Sequence, residues 1–377
     1  MNSRIWLSSP HMGGNELKYI QEAFDTNWIA PLGPNVTGFE NDLKQFLNTE
    51  KEVGALASGT AAIHLGLILA GVKADDEVIC QSMTFSASAN PILYQGATPV
   101  FVDSEPDTWN MCPIHLEEAI KNRIAQGKKP KAIILVHLYG MPAKIDEIVS
   151  IANQYDIALI EDAAEALGST YKGQNCGTFG EYAALSFNGN KIITTSGGGA
   201  IVCKDEASKK KAVFLATQAR DDAPHYQHSE IGYNYRMSNI VAGIGRGQME
   251  VLEAHIALRR EMNLFYKNIF KHVEGVTVFE EPTNDYFSNH WLSCITIDEE
   301  KANFTREDLR LALWEKNIES RPLWKPMHLQ PIFEKYPFYG TNVSENLFNN
   351  GLCLPSGSNL TRQEKERITQ VIAAFLA

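Results

Sequence analysis

Four features whose chemistry could build a catalytic site follow predicted strands. Asp162 ends the apolar run IALIED, Ser186 ends another, and Lys191 lies in SFNGNKIITTSGGGA, just before a triple glycine. The fourth feature is the segment SGT at 58–60, which follows VGALA and opens a helical pattern. A lysine amine can form an imine with a carbonyl, a buried carboxylate can pair with a cation, and the amides at a helix start bind anions.

Each of these features also has an ordinary structural explanation. Most lysines are solvated, a carboxylate at a strand end can cap nearby amides, and serine and threonine are common N-caps. One residue cannot decide between these interpretations, so the position of all four in the fold must do so.

The elements that would position these features alternate regularly from residue 53. Apolar runs typical of strands occupy 53–57, 77–81, 98–103, 131–140 and 157–163, and helical segments occupy 60–71, 84–95, 117–125 and 144–155. The alternation predicts an α/β fold with a mostly parallel central sheet that helices cover on both faces. Ligands of such sheets bind beyond the carboxyl ends of the strands. The four features are therefore expected at one edge of one sheet.

The alternation changes near residues 245–260. The segments that indicate this change are one or two long helices over 237–273, a strand over 290–298, and helices over 305–317 and 361–376. We expect a large domain over residues 1–250 and a smaller C-terminal α+β domain over residues 251–377. The N-terminal segment is expected to pack on the smaller domain.

Composition limits the classes of function. The 377 residues are 44% hydrophobic and 21% charged, which is typical of a soluble globular protein. The net charge of −11 argues against a general nucleic-acid binder. The six cysteines form no CxxC pair, so neither a metal site nor a disulfide framework is expected.

The most apolar stretch, 61–72, is too short to cross a bilayer, and no secretory signal is visible. A cytoplasmic protein without a membrane role is therefore expected.

The set of residues at the predicted sheet edge suits pyridoxal 5'-phosphate. This cofactor needs a lysine for covalent attachment, a carboxylate to keep its pyridine nitrogen protonated, and amide or hydroxyl donors for its phosphate. Lys191, Asp162 and the group formed by Ser186 with the SGT segment supply these three functions.

Seven motifs carry a family resemblance. ASGTAAIHL, MTFSASANP, HLYG, IEDAAEALGS, SFNGNKIITTSGGGA, GYNYRMSN and LCLPSG occur in the order and spacing of the DegT/DnrJ/StrS family of nucleotide-sugar aminotransferases, which the chain resembles from about residue 9 onward. The resemblance implies the aspartate aminotransferase-like fold (fold type I of pyridoxal phosphate enzymes). PHMGGNE, NWIAPLG and RPLWKPMH are similar to members that aminate UDP-2-acetamido-4-keto-2,6-dideoxyglucose in N-acetylbacillosamine synthesis. For these, L-glutamate is the expected donor, and the cofactor alternates between its pyridoxal and pyridoxamine forms.

The resemblance also assigns roles to residues. Lys191 would be the catalytic lysine and proton shuttle, and Asp162 would pair with the pyridinium nitrogen. The other implied cofactor contacts are Gly59, Thr60, Phe85, Glu165, Ser186 and Asn234. Phe85 would stack on the ring, and Asn234 would reach the phosphate from the other subunit of a homodimer. Where relatives often carry histidine or glutamine, this chain carries Glu165 near the phenolic oxygen, so we expect Glu165 to be protonated or turned away when the cofactor is bound.

Contacts to the UDP-sugar are a separate prediction, because two phosphates favour cationic and aromatic neighbours. The candidates are Arg236, Arg321, Trp324, Lys325 and His328, followed by Met12 and Trp28. For the first five, structural packing is an equally good explanation, and Met12 and Trp28 are weaker candidates.

Two other functions remain open at this stage. The first is amination of a GDP- or TDP-linked keto sugar with the same cofactor chemistry. The second is a non-catalytic, cofactor-binding regulator, which is less favoured because the resemblance begins almost at Met1 and leaves no space for a DNA-binding domain before it.

Overall fold

The computed structural model describes residues 3–377. Its strands, in chain order, are β1 (Glu52–Leu56), β2 (Glu77–Gln81), β3 (Thr98–Val102), β4 (Ala132–Val136), β5 (Ala158–Asp162), β6 (Thr170–Tyr171), β7 (Gln174–Asn175), β8 (Tyr182–Ser186), β9 (Gly199–Cys203), β10 (Val276–Val278), β11 (Tyr286–Phe287), β12 (Ser293–Ile297), β13 (Arg321–Pro322), β14 (Phe338–Tyr339) and β15 (Gly351–Leu354).

Thirteen α-helices surround these strands in the described part of the chain. They are α1 (Glu16–Asp25), α2 (Pro34–Leu47), α3 (Gly59–Leu69), α4 (Ser86–Tyr94), α5 (Pro113–Ala125), α6 (Ile145–Gln154), α7 (Glu206–Ala216), α8 (Asn239–Met249), α9 (Leu252–Phe270), α10 (Glu299–Ala302), α11 (Arg306–Glu315), α12 (Val343–Asn350) and α13 (Arg362–Leu376). Two short 3-10 helices lie at Leu138–Gly140 and Met327–Leu329.

The central sheet has eight strands in the order β1-β9-β8-β5-β4-β2-β3-β14. Strand β9 is antiparallel to both neighbours, and all other adjacent pairs are parallel. The sheet is therefore mixed and mostly parallel with helices around it, which confirms the predicted fold class.

Alternation along the buried strands separates two hydrophobic cores. In β4, Ile133 and Leu135 point into the core on one face of the sheet, and Ala132 and Ile134 point into the core on the other face. All five residues of β4 are buried. A strand covered on both faces has to be apolar at every position, which is why AIILV shows no polar alternation.

A second, antiparallel sheet has the order β10-β12-β15-β13. Helices α9, α11 and α13 contribute Tyr266, Leu309 and Ile368 to its core. The N-terminal segment packs here, since Ile5 bridges to Ile318. The chain also returns to the central sheet at β14, so residues beyond 250 do not all lie around the second sheet. The domain boundary stays a prediction.

Two further observations concern the described residues. Cys294 and Cys353 face each other on β12 and β15 with their sulfur atoms 3.7 Å apart, and all six cysteines are free and buried. Within residues 3–377, we find no helix with the length and apolar character needed to cross a membrane.

Candidate active site

Strand register brings the predicted residues to one edge of the central sheet. Asp162 is the last residue of β5, which runs parallel to β8, and Ser186 is the last residue of β8. Ser186 pairs with Gly199 at the start of the antiparallel β9, and Gly199 pairs with Leu56 at the end of β1. The three strand ends and the start of α3 therefore meet at one place.

A cavity of about 470 Å³ opens at this edge. Predicted residues that line it are Gly59, Thr60, Phe85, Asp162, Glu165, Ser186, Lys191, Arg321 and Trp324. Residues from the N-terminal segment and from the segments that precede β12 and β13 close it, among them Leu7, Trp291 and Glu319.

Lys191 presents its amine to this cavity. Its side chain is only 11% exposed, and Nζ lies 3.1 Å from Oε1 of Glu165. Nζ also lies 4.0 Å from the ring centroid of Trp291. The surface-lysine explanation is therefore wrong for Lys191.

Glu165 is buried beside this amine and accepts a 2.7 Å hydrogen bond from the backbone N–H of Tyr139. Burial raises the pKa of Glu165, and the nearby charge of Lys191 and the Tyr139 amide offset only part of the effect. The expectation that the neutral form is favoured here is consistent with this direction. The carboxyl group is not turned away from the lysine.

Asp162 is a buried carboxylate that lacks a cationic partner in the described chain. Its Oδ2 accepts from Ser88 Oγ at 2.6 Å, and its Oδ1 accepts from the Ala164 amide at 3.2 Å. A buried carboxylate is costly without a positive charge beside it. The protonated pyridine nitrogen of pyridoxal phosphate would provide that charge, so this residue fits the cofactor.

The part of the cavity at the start of α3 suits a phosphate. Ser58 is the N-cap of α3, and its side chain accepts a 3.1 Å hydrogen bond from the Ala61 amide. The amides of Gly59 and Thr60 precede this bond and can face an anion. A Cβ atom on Gly199 would lie 2.3 Å from the Ser58 carbonyl carbon, and one on Gly59 would lie 3.0 Å from Cβ of Ser186. The glycines allow β9, β8 and the helix start to meet this closely.

Several predicted substrate contacts lie outside the cavity of the single chain. His328 is held by Ser82 Oγ at 2.7 Å and Glu345 at 3.2 Å, and it stacks on Phe338. The other predicted residues that do not line the cavity are Met12, Trp28, Asn234, Arg236 and Lys325, of which Met12, Trp28, Asn234 and Lys325 are exposed.

Arg321 lines the cavity, but Glu319 accepts hydrogen bonds from its Nε and Nη2 at 2.9 and 2.7 Å. The same carboxylate accepts the Leu7 amide at 3.1 Å. Glu319 therefore compensates much of the charge of Arg321 and ties the N-terminal segment to the cavity wall.

Two residues that contact the predicted site residues were not predicted from the sequence. Ser88 orients Asp162, and Trp291 faces Lys191, yet both belong to segments that read as ordinary helix and strand. The alternation of HWLSCITID is enough to predict that Trp291 lies on a buried face. It does not predict a contact with Lys191, which lies 100 residues earlier in the chain.

Similarity to known proteins decides the family. The model of the DegT/DnrJ/EryC1/StrS aminotransferase family matches residues 10–374. The chain belongs to this family. It is 53% identical over 376 residues to EpsN of Bacillus subtilis (strain 168), covering 99% of this chain and 96% of that protein. It is 38% identical over 373 residues to the GDP-perosamine synthase of Escherichia coli O157:H7, covering 98% of each chain.

Solved structures agree with this assignment. The pyridoxal phosphate form of Spr1654 from Streptococcus pneumoniae superimposes with a TM-score of 0.89 at 26% identity, over 99% of each chain. The pyridoxamine phosphate form of the same protein also has a TM-score of 0.89, over 99% of this chain and 98% of that one. The chain described here is therefore a pyridoxal phosphate-dependent sugar aminotransferase of fold type I. The alternative of a non-catalytic, cofactor-binding regulator is set aside.

Proposed function

We propose that this enzyme transfers the amino group of L-glutamate to the 4-keto carbon of UDP-2-acetamido-4-keto-2,6-dideoxyglucose, as in N-acetylbacillosamine-type synthesis. The observation that carries the proposed chemistry is that Lys191 and Asp162 line one cavity of about 470 Å³ together with the start of α3. The choice of sugar rests on the motifs PHMGGNE, NWIAPLG and RPLWKPMH.

In this proposal each residue has one task. When bound, pyridoxal phosphate supplies a carbonyl for the amino group and a ring that delocalises the electron pair of the reacting carbon. Asp162 would stabilise positive charge at the ring nitrogen, Phe85 would pack on the ring, and Thr60, Ser186 and the α3 amides would hold the phosphate. Lys191 accepts a proton on Nζ when neutral and donates it to the sugar carbon when charged.

Homodimer formation is part of the same proposal. Asn234 does not line the cavity of its own chain, and its side chain is exposed. Several large apolar side chains near the start of the chain are exposed too, including Phe24 at 58%, Trp28 at 44% and Leu32 at 63%. Exposed apolar groups of this kind favour a protein interface, through which Asn234 would reach the other subunit's phosphate site.

A second substrate is favoured by specific relatives. Proteins named GDP-perosamine synthase from Escherichia coli and Caulobacter vibrioides are 38% and 36% identical to this chain, which supports a GDP-linked 4-keto sugar as the alternative acceptor. Both candidates need the same amine chemistry and differ in the nucleotide and in the substituent at sugar carbon 2.

The decisive experiment supplies the purified enzyme with glutamate and one keto sugar at a time, linked to UDP, GDP or TDP. Formation of 2-oxoglutarate and of the amino sugar is followed by mass spectrometry. We expect the highest kcat/KM for the UDP-linked 2-acetamido sugar. A higher value for the GDP-linked sugar would replace the proposed substrate by the perosamine-type one, and no amino sugar from any acceptor would reject the proposal.

A further inference from the structure

The indole of Trp291 forms the cavity wall next to the amine of Lys191. The ring centroid lies 4.0 Å from Nζ, and only 2% of Trp291 is exposed. A cation above an indole within about 6 Å is attracted by the ring quadrupole, and the attraction grows when water is excluded. This contact is a second one for the amine, in addition to Glu165 Oε1 at 3.1 Å.

The indole is tied to the same stretch of backbone that carries Lys191. Its Nε1 donates to the Asn190 carbonyl at 2.6 Å. Arg259 donates to the Trp291 carbonyl through Nη1 at 2.6 Å and to the Lys191 carbonyl through Nη2 at 3.3 Å. One guanidinium group therefore fixes the positions of both residues.

The charged groups around the Lys191 amine offer it little fixed negative charge, so the contact with the Trp291 ring matters for a charged amine. Besides Lys191, the ionisable groups that line the cavity are Asp162, Glu165, Glu319, Arg321 and Cys353, and Arg259 donates to the Lys191 carbonyl. Burial lowers the pKa of Arg259 to about 9, so this residue remains positive at neutral pH. Burial also raises the pKa of Glu165, which weakens the nearest anion. The quadrupole of Trp291 does not titrate and is present whether Glu165 is charged or neutral.

We propose that Trp291 is a positioning residue, whose indole holds the ammonium of Lys191 while the amine is not bonded to the cofactor. The inference rests on the proposed role of Lys191. During transamination the lysine is free whenever the cofactor carries the amino group, and a buried free ammonium needs compensation. The indole of Trp291 would supply this compensation and keep Nζ facing the reacting carbon.

The test measures the reactivity of the free amine rather than turnover. Enzyme in its pyridoxamine phosphate form, prepared with excess glutamate and desalted, is treated with the N-hydroxysuccinimide ester of acetic acid. Acetylation of the Lys191 peptide is then timed by mass spectrometry for the wild type, Trp291→Phe and Trp291→Met. Methionine is chosen because its flexible side chain fills space without a ring.

We expect faster acetylation at pH 7.5, because losing the ring lowers the fraction of charged amine. The rate should rise about threefold to tenfold for Trp291→Met and about twofold for Trp291→Phe, which keeps a weaker ring. At strongly alkaline pH, where the amine is neutral in every variant, the rates should converge. Unchanged rates at pH 7.5, or the same ratio at all pH values, would overturn the inference, because a constant ratio indicates altered access. If Trp291→Met does not fold, the Phe variant decides.

Two controls complete the design. Trp314→Met removes an indole that is 51% exposed and does not line the cavity, and it should leave the acetylation rate of Lys191 unchanged. Borohydride reduction of the pyridoxal phosphate form, followed by peptide mapping, identifies the lysine that carries the cofactor. A cofactor found on another lysine rejects the proposed role of Lys191. A cofactor on Lys191 with unaltered acetylation in the Trp291 variants rejects only the inference about Trp291.

Discussion

The amine of Lys191 has two close contacts in the described chain, a carboxyl group that burial disfavours as an anion and an indole ring. Neither contact binds a substrate by itself. Both contacts suit a lysine whose amine is bonded to the cofactor in one state and free in the other.

Replacing Lys191 by alanine should remove turnover and spare cofactor binding. The variant loses the proton carrier, so kcat for 2-oxoglutarate formation should fall by at least about 1000-fold. The phosphate and ring contacts remain, so pyridoxal phosphate should still be retained on gel filtration. Lys204→Ala, which breaks an exposed ion pair with Glu181, is the matched control and should keep normal activity. Near-normal turnover of Lys191→Ala would reject the mechanism.

Substitution of Glu165 by glutamine should change little, because the amide resembles a protonated carboxyl group in shape and polarity. We expect the visible absorption band of the bound cofactor to keep its position between pH 6 and 8. Titration by absorbance measures this directly. A large displacement of the band in Glu165→Gln would mean that a charged carboxylate shapes the cofactor in the wild type.

Residues of the site differed in how far the sequence could predict them. Lys191, Asp162 and Ser186 follow strand ends, and strands of a parallel sheet end at one edge, so local patterns were enough. Ser88 contacts Asp162 and Trp291 contacts Lys191 through tertiary packing, which no local pattern encodes. His328 illustrates the opposite case, because a polar cluster with Ser82 and Glu345 holds it away from the cavity lining.

At the scale of elements, close packing of β9 against the start of α3 explains part of the triple glycine. Gly199→Ala should destabilise the protein by about 1–3 kcal/mol, because its Cβ would lie 2.3 Å from backbone carbon of Ser58. Gly197→Ala should change stability by less than about 0.5 kcal/mol, since no atom lies within 4 Å of the added methyl group. Urea unfolding of the cofactor-free variants measures both, and equal losses would contradict the packing explanation.

Helix α9 carries a buried histidine that should make stability depend on pH. Burial lowers the pKa of His255 to about 4, from 6.5 in an unfolded chain. The unfolded state therefore binds more protons between pH 4 and 6.5, so stability is full above pH 6.5 and is lost as pH falls through this window. His255→Gln should reduce the slope of unfolding free energy against pH by up to about 1.4 kcal/mol per pH unit.

Urea unfolding at several pH values gives this slope. His225→Gln alters an exposed histidine and is the control that should leave the slope unchanged. His64 also has a pKa lowered to about 4 by burial, so part of the acid sensitivity should persist in His255→Gln. An identical slope in wild type and His255→Gln would show that His255 is not buried in its neutral form.

The predicted strands and helices agree with the structure where the apolar runs or helical segments are long. The run at 77–81 is β2, and the long helical stretch over 237–273 is two helices, α8 and α9. The two-residue strand β14 and the small sheet of β6, β7 and β11 were not predicted, because pairs of two residues carry no measurable alternation. The reversed direction of β9 depends on its pairing partners and was not predicted either.

For the whole molecule, mixed dimers test whether Asn234 acts across an interface. Lys191→Ala and Asn234→Asp subunits, each inactive alone, should regain about a quarter of wild-type activity when unfolded and refolded together in equal amounts. Half of the dimers are then mixed, and one of their two sites contains both native residues. Absence of recovery, with mixed dimers verified by mass spectrometry, would mean that Asn234 acts on the site of its own chain, and normal activity of Asn234→Asp alone would place Asn234 outside any site.

The cavity draws its walls from Leu7, the start of α3, the end of β5, Trp291 and Glu319, which span most of the sequence. This cavity is incomplete in a chain that has formed the central sheet but not the second sheet. Cofactor binding should consequently be the last step of folding. A nascent or truncated chain would lack the visible absorption of the bound cofactor until Leu7 and Glu319 have packed against the central sheet.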